Sequence, residues 1–309
     1  MSQPRSTPGY LDLAASGELA VRAEVLQESV RACSLCPRSC GVDRVAGQKG
    51  YCRGGLRASV SSSNPHHGEE PPISGCCGSG AVFFANCTLR CLFCQNYPIS
   101  QLGHGREVSH ERLADVFLDL QRQGCHNLNL VTPTHYLHAI LSALAIAVGS
   151  GFRLPIVYNT SGYERVETLR QLDGVVDVYM PDIKYGDGDK ARSYSDAADY
   201  PERNIEALRE MQRQVGDLVL DDAGIAVRGL LVRHLVLPGA ERDSIPLLRA
   251  LRDRVSPSAY VSLMSQYFPA FRAPETPPLN RRVDPRAYKR IVDWMAESGL
   301  RGWIQPLPG

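Results

Sequence analysis

Three cysteines, Cys87, Cys91 and Cys94, stand in the run Asn86-Cys87-Thr88-Leu89-Arg90-Cys91-Leu92-Phe93-Cys94-Gln95-Asn96-Tyr97, with three residues and then two between the thiols. One short loop at that spacing can wrap three corners of an iron-sulfur cube. Cube sites commonly use four thiolates, one for each iron. A local triplet leaves one iron open, and an open coordination position is where a substrate meets a metal, as open catalytic zinc sites illustrate. The competing chemistry is a zinc knuckle or a set of structural thiols, but a zinc site calls for a fourth ligand close by.

A second group lies upstream. Cys33-Ser34-Leu35-Cys36-Pro37-Arg38-Ser39-Cys40 is followed after eleven residues by Cys52, in a stretch containing Gly41, Gly47, Gly50, Gly54 and Gly55. That composition reads as loop. Four soft ligands on a loop read as a metal knuckle at Cys33, Cys36, Cys40 and Cys52, holding either zinc or a second iron-sulfur cluster. The remaining cysteines, Cys76, Cys77 and Cys125, are expected to pack as small hydrophobes. Ten cysteines in 309 residues, seven of them in two ligand-like groups, indicate reduced thiols that hold metal rather than a secreted disulfide scaffold.

The elements that position these residues follow from hydrophobic periodicity. The segment 16–32 carries Leu19, Val25, Leu26 and Val30 at near-helical spacing, and it predicts an amphipathic helix ahead of the knuckle. From residue 81 onward, short apolar runs at 81–85, 128–131, 156–159, 175–180, 230–237 and 260–264 alternate with helical patterns at 111–123, 136–148, 164–172, 202–214 and 244–255. Repeated strand-then-helix units imply an α/β fold with a parallel sheet, here a partial (β/α)6 TIM-type barrel with an N-terminal cysteine-rich extension. Asp221-Asp222-Ala223-Gly224 between apolar triplets predicts a hairpin before the fifth strand. Pro274, Pro277 and Pro278 mark a linker to a closing helix at 285–298. The expected division is 1–75 for the N-terminal helix and knuckle, 76–270 for the barrel, and 271–309 for the linker and closing helix.

Barrels of this kind carry their chemistry at the C-terminal ends of the strands. Cys87 follows the first expected strand, as that rule requires. The loop resembles the cluster motif of radical S-adenosylmethionine (SAM) enzymes, in which an aromatic residue commonly precedes the last cysteine, as Phe93 does here. The resemblance implies a [4Fe-4S] cluster on Cys87, Cys91 and Cys94. Its open iron would be chelated by the methionyl end of SAM, which one electron cleaves to a 5′-deoxyadenosyl radical. It also implies an electron donor of low potential, of the flavodoxin or ferredoxin type.

The other strand ends then become candidates. Thr132-Pro133-Thr134-His135 stands where such enzymes often place a Gly-Gly-Glu-like segment, so Thr134 and His135 are candidate contacts to the cofactor, and Thr134 is equally a candidate helix N-cap. His135 and His138 also have the spacing of a metal pair. Asn159-Thr160-Ser161-Gly162-Tyr163 is similar to the Asp-Thr-Asn-Gly stretch of glycyl-radical activating enzymes, with an amide in place of the acid. Asp182 and Lys184 in Met180-Pro181-Asp182-Ile183-Lys184 project to one face, where they could orient the SAM carboxylate or a substrate amide, or form only a mutual ion pair. Arg233-His234-Leu235-Val236-Leu237-Pro238-Gly239 is similar to the Arg-x-x-x-x-Pro-Gly of the same enzymes and places Arg233 to meet a carboxylate through a planar two-point contact. Tyr267 and Phe268 could stack on adenine or plug the barrel end. Glu69 and Glu70, in His66-His67-Gly68-Glu69-Glu70-Pro71, could recognise substrate or form a solvated turn.

Taken together these motifs resemble the PflX-like branch of radical SAM proteins, homologues of pyruvate formate-lyase activating enzyme, over about residues 33–269. The resemblance implies an oxidoreductase that abstracts hydrogen from a protein, peptide or small-molecule substrate, with a glycine of another protein among the candidates. Lys184 and Arg233 would act in catalysis, and Phe93, Thr134, Asn159 and Asp182 would help seat the cofactor. The competing class is a non-catalytic iron-sulfur electron carrier or sensor, whose cluster a fourth protein ligand should close. A formal net charge of +1 gives no electrostatic reason to expect nucleic acid or an anionic membrane as partner. No apolar stretch reaches the roughly 18–20 residues of a membrane span, and the expectation is a cytoplasmic protein.

Overall fold

In the computed structural model, residues 7–307 are described. Ten strands form the sheet: β1 (Ala58–His66), β2 (Ser79–Phe84), β3 (Arg106–Val108), β4 (Leu128–Val131), β5 (Ile156–Thr160), β6 (Val178–Pro181), β7 (Val219–Leu220), β8 (Ala226–Leu235), β9 (Tyr260–Met264) and β10 (Arg301–Ile304). Their order is β10-β9-β8-β6-β5-β4-β2-β1-β3, with β7 paired to β8. The strands expected from the sequence are β2, β4, β5, β6, β8 and β9, and they lie side by side in chain order with every contact parallel. This is the expected α/β fold, extended by three strands that the pattern did not reveal. β10 adds a parallel edge beside β9, whereas β1 pairs antiparallel with both β2 and β3.

The sheet curls around polar side chains. Glu69, entering from the segment after β1, reaches Asn129 on β4, Asn159 on β5 and Arg233 on β8 at 3.1, 3.5 and 3.4 Å. One carboxylate can touch three such strands only from the concave side of a strongly bent sheet.

Helices cover the convex face, and their sequences show why. His110–Arg122 starts where the Ser109 hydroxyl accepts from the Arg112 N–H at 3.2 Å, and it buries Leu113, Ala114, Val116, Phe117 and Leu120. Leu137–Gly149 is apolar almost all round because it is covered on its outer side by His110–Arg122 and by Glu18–Ser29. Gln27 of the latter reaches His138 O and Ser142 Oγ at 3.4 and 3.3 Å. Among the described residues no helix is long and apolar enough to cross a membrane.

Two boundaries differ from expectation for identifiable reasons. The helix expected over 164–172 is shortened to Val166–Arg170, because Glu164 is drawn into a buried hydroxyl cage and Arg165 is extended. The strand expected from 175 starts at Val178, because Val175 and Val176 close a turn onto Leu172 O. The hairpin is present as β7 with the start of β8, its turn held by the Asp221 carboxylate accepting from Ile225 N–H at 2.9 Å.

The ends of β5 and β6 are tied by the helix Tyr200–Val215. Asn204 Nδ2 donates to Gly162 O and Asp182 O at 3.0 Å each, and Tyr200 Oη donates to Ser161 O at 2.8 Å and accepts from Lys184 N–H at 3.2 Å. Gly162 has φ +73, and a Cβ there would collide with Asp182 O and Asn204 Nδ2. Gly162→Ala should therefore cost about 2 kcal/mol or more, read as a lowered thermal midpoint. An unchanged midpoint would show that this junction yields without strain.

Candidate active site

Just past β2, Asn86 takes φ +72 and turns the chain, and its side chain donates to Tyr136 Oη at 3.1 Å. The loop that follows presents Cys87, Cys91 and Cys94 as free thiols. Each sulfur has a protein partner: Leu89 N–H on Cys87 at 3.4 Å, the Ser195 hydroxyl on Cys91 at 3.0 Å, and Ser100 Oγ beside Cys94 at 3.0 Å. Burial pushes the Cys87 thiol up to about 12, helped by the neighbouring Cys91. Burial takes Cys91 to about 11 against the opposing pull of Lys184. Cys94 is raised by burial too, with Ser100 opposing. Such thiols keep their protons at neutral pH until a metal displaces them.

The three sulfurs fit a polynuclear group better than a single ion. Among the described residues, one set of three metal-capable atoms lies within 4.8 Å of one another, and it is not this one. The donors resting on the sulfurs are of the kind that offsets thiolate charge around iron-sulfur clusters. Phe93 is buried with its ring 6.1 Å from that of Tyr267, so both aromatics brace the loop from below, whereas Phe268 is exposed.

Lys184, whose charge acts on Cys91, begins a chain of charges. Lys184 Nζ lies 2.6 Å from Asp182 Oδ2, and Arg233 Nη2 and Nε lie 3.0 and 3.1 Å from Asp182 Oδ1. Arg233 Nη2 also donates to Asn159 Oδ1 at 2.8 Å, and its Nη1 meets Glu69 Oε2 at 3.4 Å. Two cations thus alternate with two carboxylates, and 10–18% of each side chain's surface remains open. Burial alone would raise Asp182, but Lys184 and Arg233 outweigh it and hold its carboxyl below the usual range. Both cations are stabilised in charged form, mainly by Asp182 against the cost of burial. Burial raises Glu69 despite Arg233. The structure thus brings Asn159, Asp182, Lys184 and Arg233 together and adds Glu69. Glu70 is buried and only 10% of the Glu69 side chain is exposed, so the solvated-turn reading of this segment is corrected.

Other strand-end candidates are occupied locally. The Thr134 hydroxyl donates to Glu164 Oε1 at 2.6 Å, so its proton is unavailable to a cofactor, and the turn it opens has no side-chain cap. Glu164 also receives Thr160 Oγ1, and Tyr158 Oη lies 3.4 Å from its second oxygen. Sequence reading missed Glu164, for which the only signal was its place four residues after Thr160. Burial pushes its carboxyl up to about 7, against the hydroxyls that favour the charged form. His135 and His138 are not a metal pair. Each Nε2 faces a backbone carbonyl, Ala85 O at 2.8 Å and Leu56 O at 2.9 Å, and burial lowers the rings to about 3 and about 4.

The cysteine-rich segment packs over the cluster loop. Arg38 Nε donates to Thr88 O at 3.1 Å, Arg90 donates to Tyr51 O at 2.6 Å, and both guanidiniums sit over the Tyr51 ring at 3.8 and 4.9 Å. Arg44 Nη1 donates to His135 O at 2.6 Å. Cys33, Cys36 and Cys52 are buried and Cys40 is exposed. Burial raises Cys36 and Cys52, and Arg44 Nη2 and Gly54 N–H approach the Cys52 sulfur at 3.5 and 3.4 Å. Cys125 is buried as expected, but Cys76 and Cys77 are exposed, which corrects their reading as packed hydrophobes.

Residues 81–225 match the Radical SAM superfamily. The matched stretch spans the Cys87–Cys94 loop and the strand ends through β6. An uncharacterized protein of Methanocaldococcus jannaschii is 28% identical over 286 residues, covering 89% of this chain and 75% of that protein. Among solved structures, a radical SAM methyltransferase from Sphaerobacter thermophilus superposes with a TM-score of 0.50 at 15% identity, covering 95% of this chain and 91% of that one. SuiB of Streptococcus suis matches with a TM-score of 0.48 at 11% identity over 72% of this chain, which spans about half of SuiB's length, 47%. These structural likenesses concern the fold.

Glu164 yields a pH test. Its folded value of about 7 lies above the ordinary 4.5, so the folded protein keeps a proton that the unfolded chain has released. Its contribution to stability therefore falls as pH rises between those values. Glu164→Gln should gain on the wild type in thermal midpoint across that window and run parallel to it above; parallel curves throughout would show that Glu164 ionises normally.

Proposed function

We propose that this chain is a radical SAM enzyme in which Cys87, Cys91 and Cys94 hold a [4Fe-4S] cluster with one iron left for SAM. The match to the Radical SAM superfamily supports the class, and the observation that carries the reading of the site is which charges act on the three thiols. Lys184 acts on all three thiols and Asp182 on Cys91 and Cys94, alongside the action of the three thiols on one another. When bound, the cluster and SAM together supply a 5′-deoxyadenosyl radical that abstracts hydrogen.

The chain's own residues prepare for that chemistry. The thiols release their protons on loading, and Ser195, Ser100 and Leu89 N–H stabilise the sulfurs. Asp182 offers an acceptor and Lys184 a cation to an amino-acid end, while Arg233, pinned by Asn159 and Glu69, fixes the Asp182 carboxylate. Pinning of this kind pre-organises polar groups before the ligand arrives. Phe93 and Asn159 act through packing and orientation. The substrate is a protein, peptide or small molecule, glycyl-radical activation is one form of this activity, and the electron comes from a low-potential flavodoxin- or ferredoxin-type donor. The knuckle at Cys33, Cys36, Cys40 and Cys52 would hold zinc or a second cluster against the cluster loop.

Anaerobically reconstituted and reduced protein should release 5′-deoxyadenosine from SAM, and Cys91→Ala should lower that release at least about tenfold and lose iron. Wild-type protein that holds iron but releases none would instead be an electron carrier or sensor.

A further inference from the structure

The one compact set of metal-capable side chains among the described residues lies away from both cysteine groups. Cys76 Sγ is 3.4 Å from Cys77 Sγ and 3.7 Å from His126 Nε2, and the three donor atoms all fall within 4.8 Å of one another. Cys77 N–H donates to His126 Nε2 at 3.1 Å, which holds the imidazole beside the sulfurs with its lone pair facing that N–H. The turn that allows this is built on Gly75 at φ +47, where a Cβ would lie 2.6 Å from His126 Nε2. Both thiols are exposed.

We propose that Cys76, Cys77 and His126 form a surface site for one zinc ion, independent of the radical SAM reading. Two thiolates and an imidazole are a common zinc donor set, and three protein ligands leave the fourth tetrahedral position to water or an outside ligand. With Zn–S at about 2.3 Å, tetrahedral sulfurs stand about 3.8 Å apart. The Cys76–Cys77 and Cys76–His126 separations are within a few tenths of an ångström of that edge and the third pair is within 4.8 Å, so side-chain adjustments close the site. Binding replaces two S–H bonds by two Zn–S bonds, releases two protons and takes over the lone pair now facing Cys77 N–H.

The place in the fold says what the ion would do. Cys76 and Cys77 precede β2 and His126 precedes β4, so the site sits at the ends of these strands remote from the cluster loop. The six residues of β2 separate the two ends by about 20 Å. The ion would tie the turn after Pro71–Ser74 to the entry of β4 and brace the segment that delivers Glu69 to Arg233.

The test uses the iron-loaded full chain, reduced and anaerobic, equilibrated with zinc under a competing chelator and, separately, with cobalt(II). Wild type should retain one zinc per chain more than Cys76→Ser/Cys77→Ser with iron content unchanged. Its cobalt form should show a thiolate charge-transfer band that this double variant lowers, and His126→Ala should weaken zinc binding at least tenfold. Equal zinc in wild type and double variant at equal iron overturns the proposal, as do Cys76 and Cys77 that alkylate equally fast with and without zinc.

Discussion

A carboxylate held between two cations inside the curled sheet organises the site. Asp182 lies within hydrogen-bond distance of both Lys184 and Arg233, and Arg233 in turn is held by Asn159 and Glu69. Removing one partner from a buried charge pair leaves an uncompensated charge at a cost of about 3–5 kcal/mol. The four charges therefore have to arrive together, from the segment before β2 and from β6 and β8. The strand order that makes β6 and β8 neighbours is what permits it, and the backbone contact between Asp182 and Arg233 fixes their register.

This chain of charges also explains how two regions remote in sequence serve one place. Glu69 enters the concave face from the segment after β1, and Lys184 at the other end of the chain of charges acts electrostatically on Cys91, so the charges couple that segment to the cluster loop. Around it the structure spends hydroxyls rather than charges. Ser195 lies on the helix Gly188–Ser195, capped by Asp187, and brings its hydroxyl to Cys91 while Tyr185 Oη approaches it at 2.7 Å. Arg38 of the cysteine-rich segment and Arg90 of the cluster loop join the two by stacking on Tyr51.

Much of this was legible from residue types. The cysteine spacing, the strand-then-helix alternation and the polar residues at strand ends each carry a strong local signal, and β2, β4, β5, β6, β8 and β9 follow it. What stayed hidden lacks such a signal. β1 reads Ala-Ser-Val-Ser-Ser-Ser-Asn-Pro-His, with no apolar alternation, because it is fixed by ladders on both sides rather than by a buried face. β10 is exposed along its whole length and owes its place to the β9 edge. The reach of Glu69 to Arg233, the bond from Thr134 to Glu164 and the meeting of Cys76 and Cys77 with His126 join positions distant in sequence, which no spacing rule reveals.

The central claim is that three thiols hold a cluster with an iron left open beside Lys184 and Asp182. Low-temperature electron paramagnetic resonance of the reduced, anaerobically reconstituted protein tests it most directly. A [4Fe-4S] signal that shifts when SAM is added, and that is absent in Cys91→Ala, is the predicted result; a cluster signal unchanged by SAM, or no cluster signal in the wild type, would contradict it.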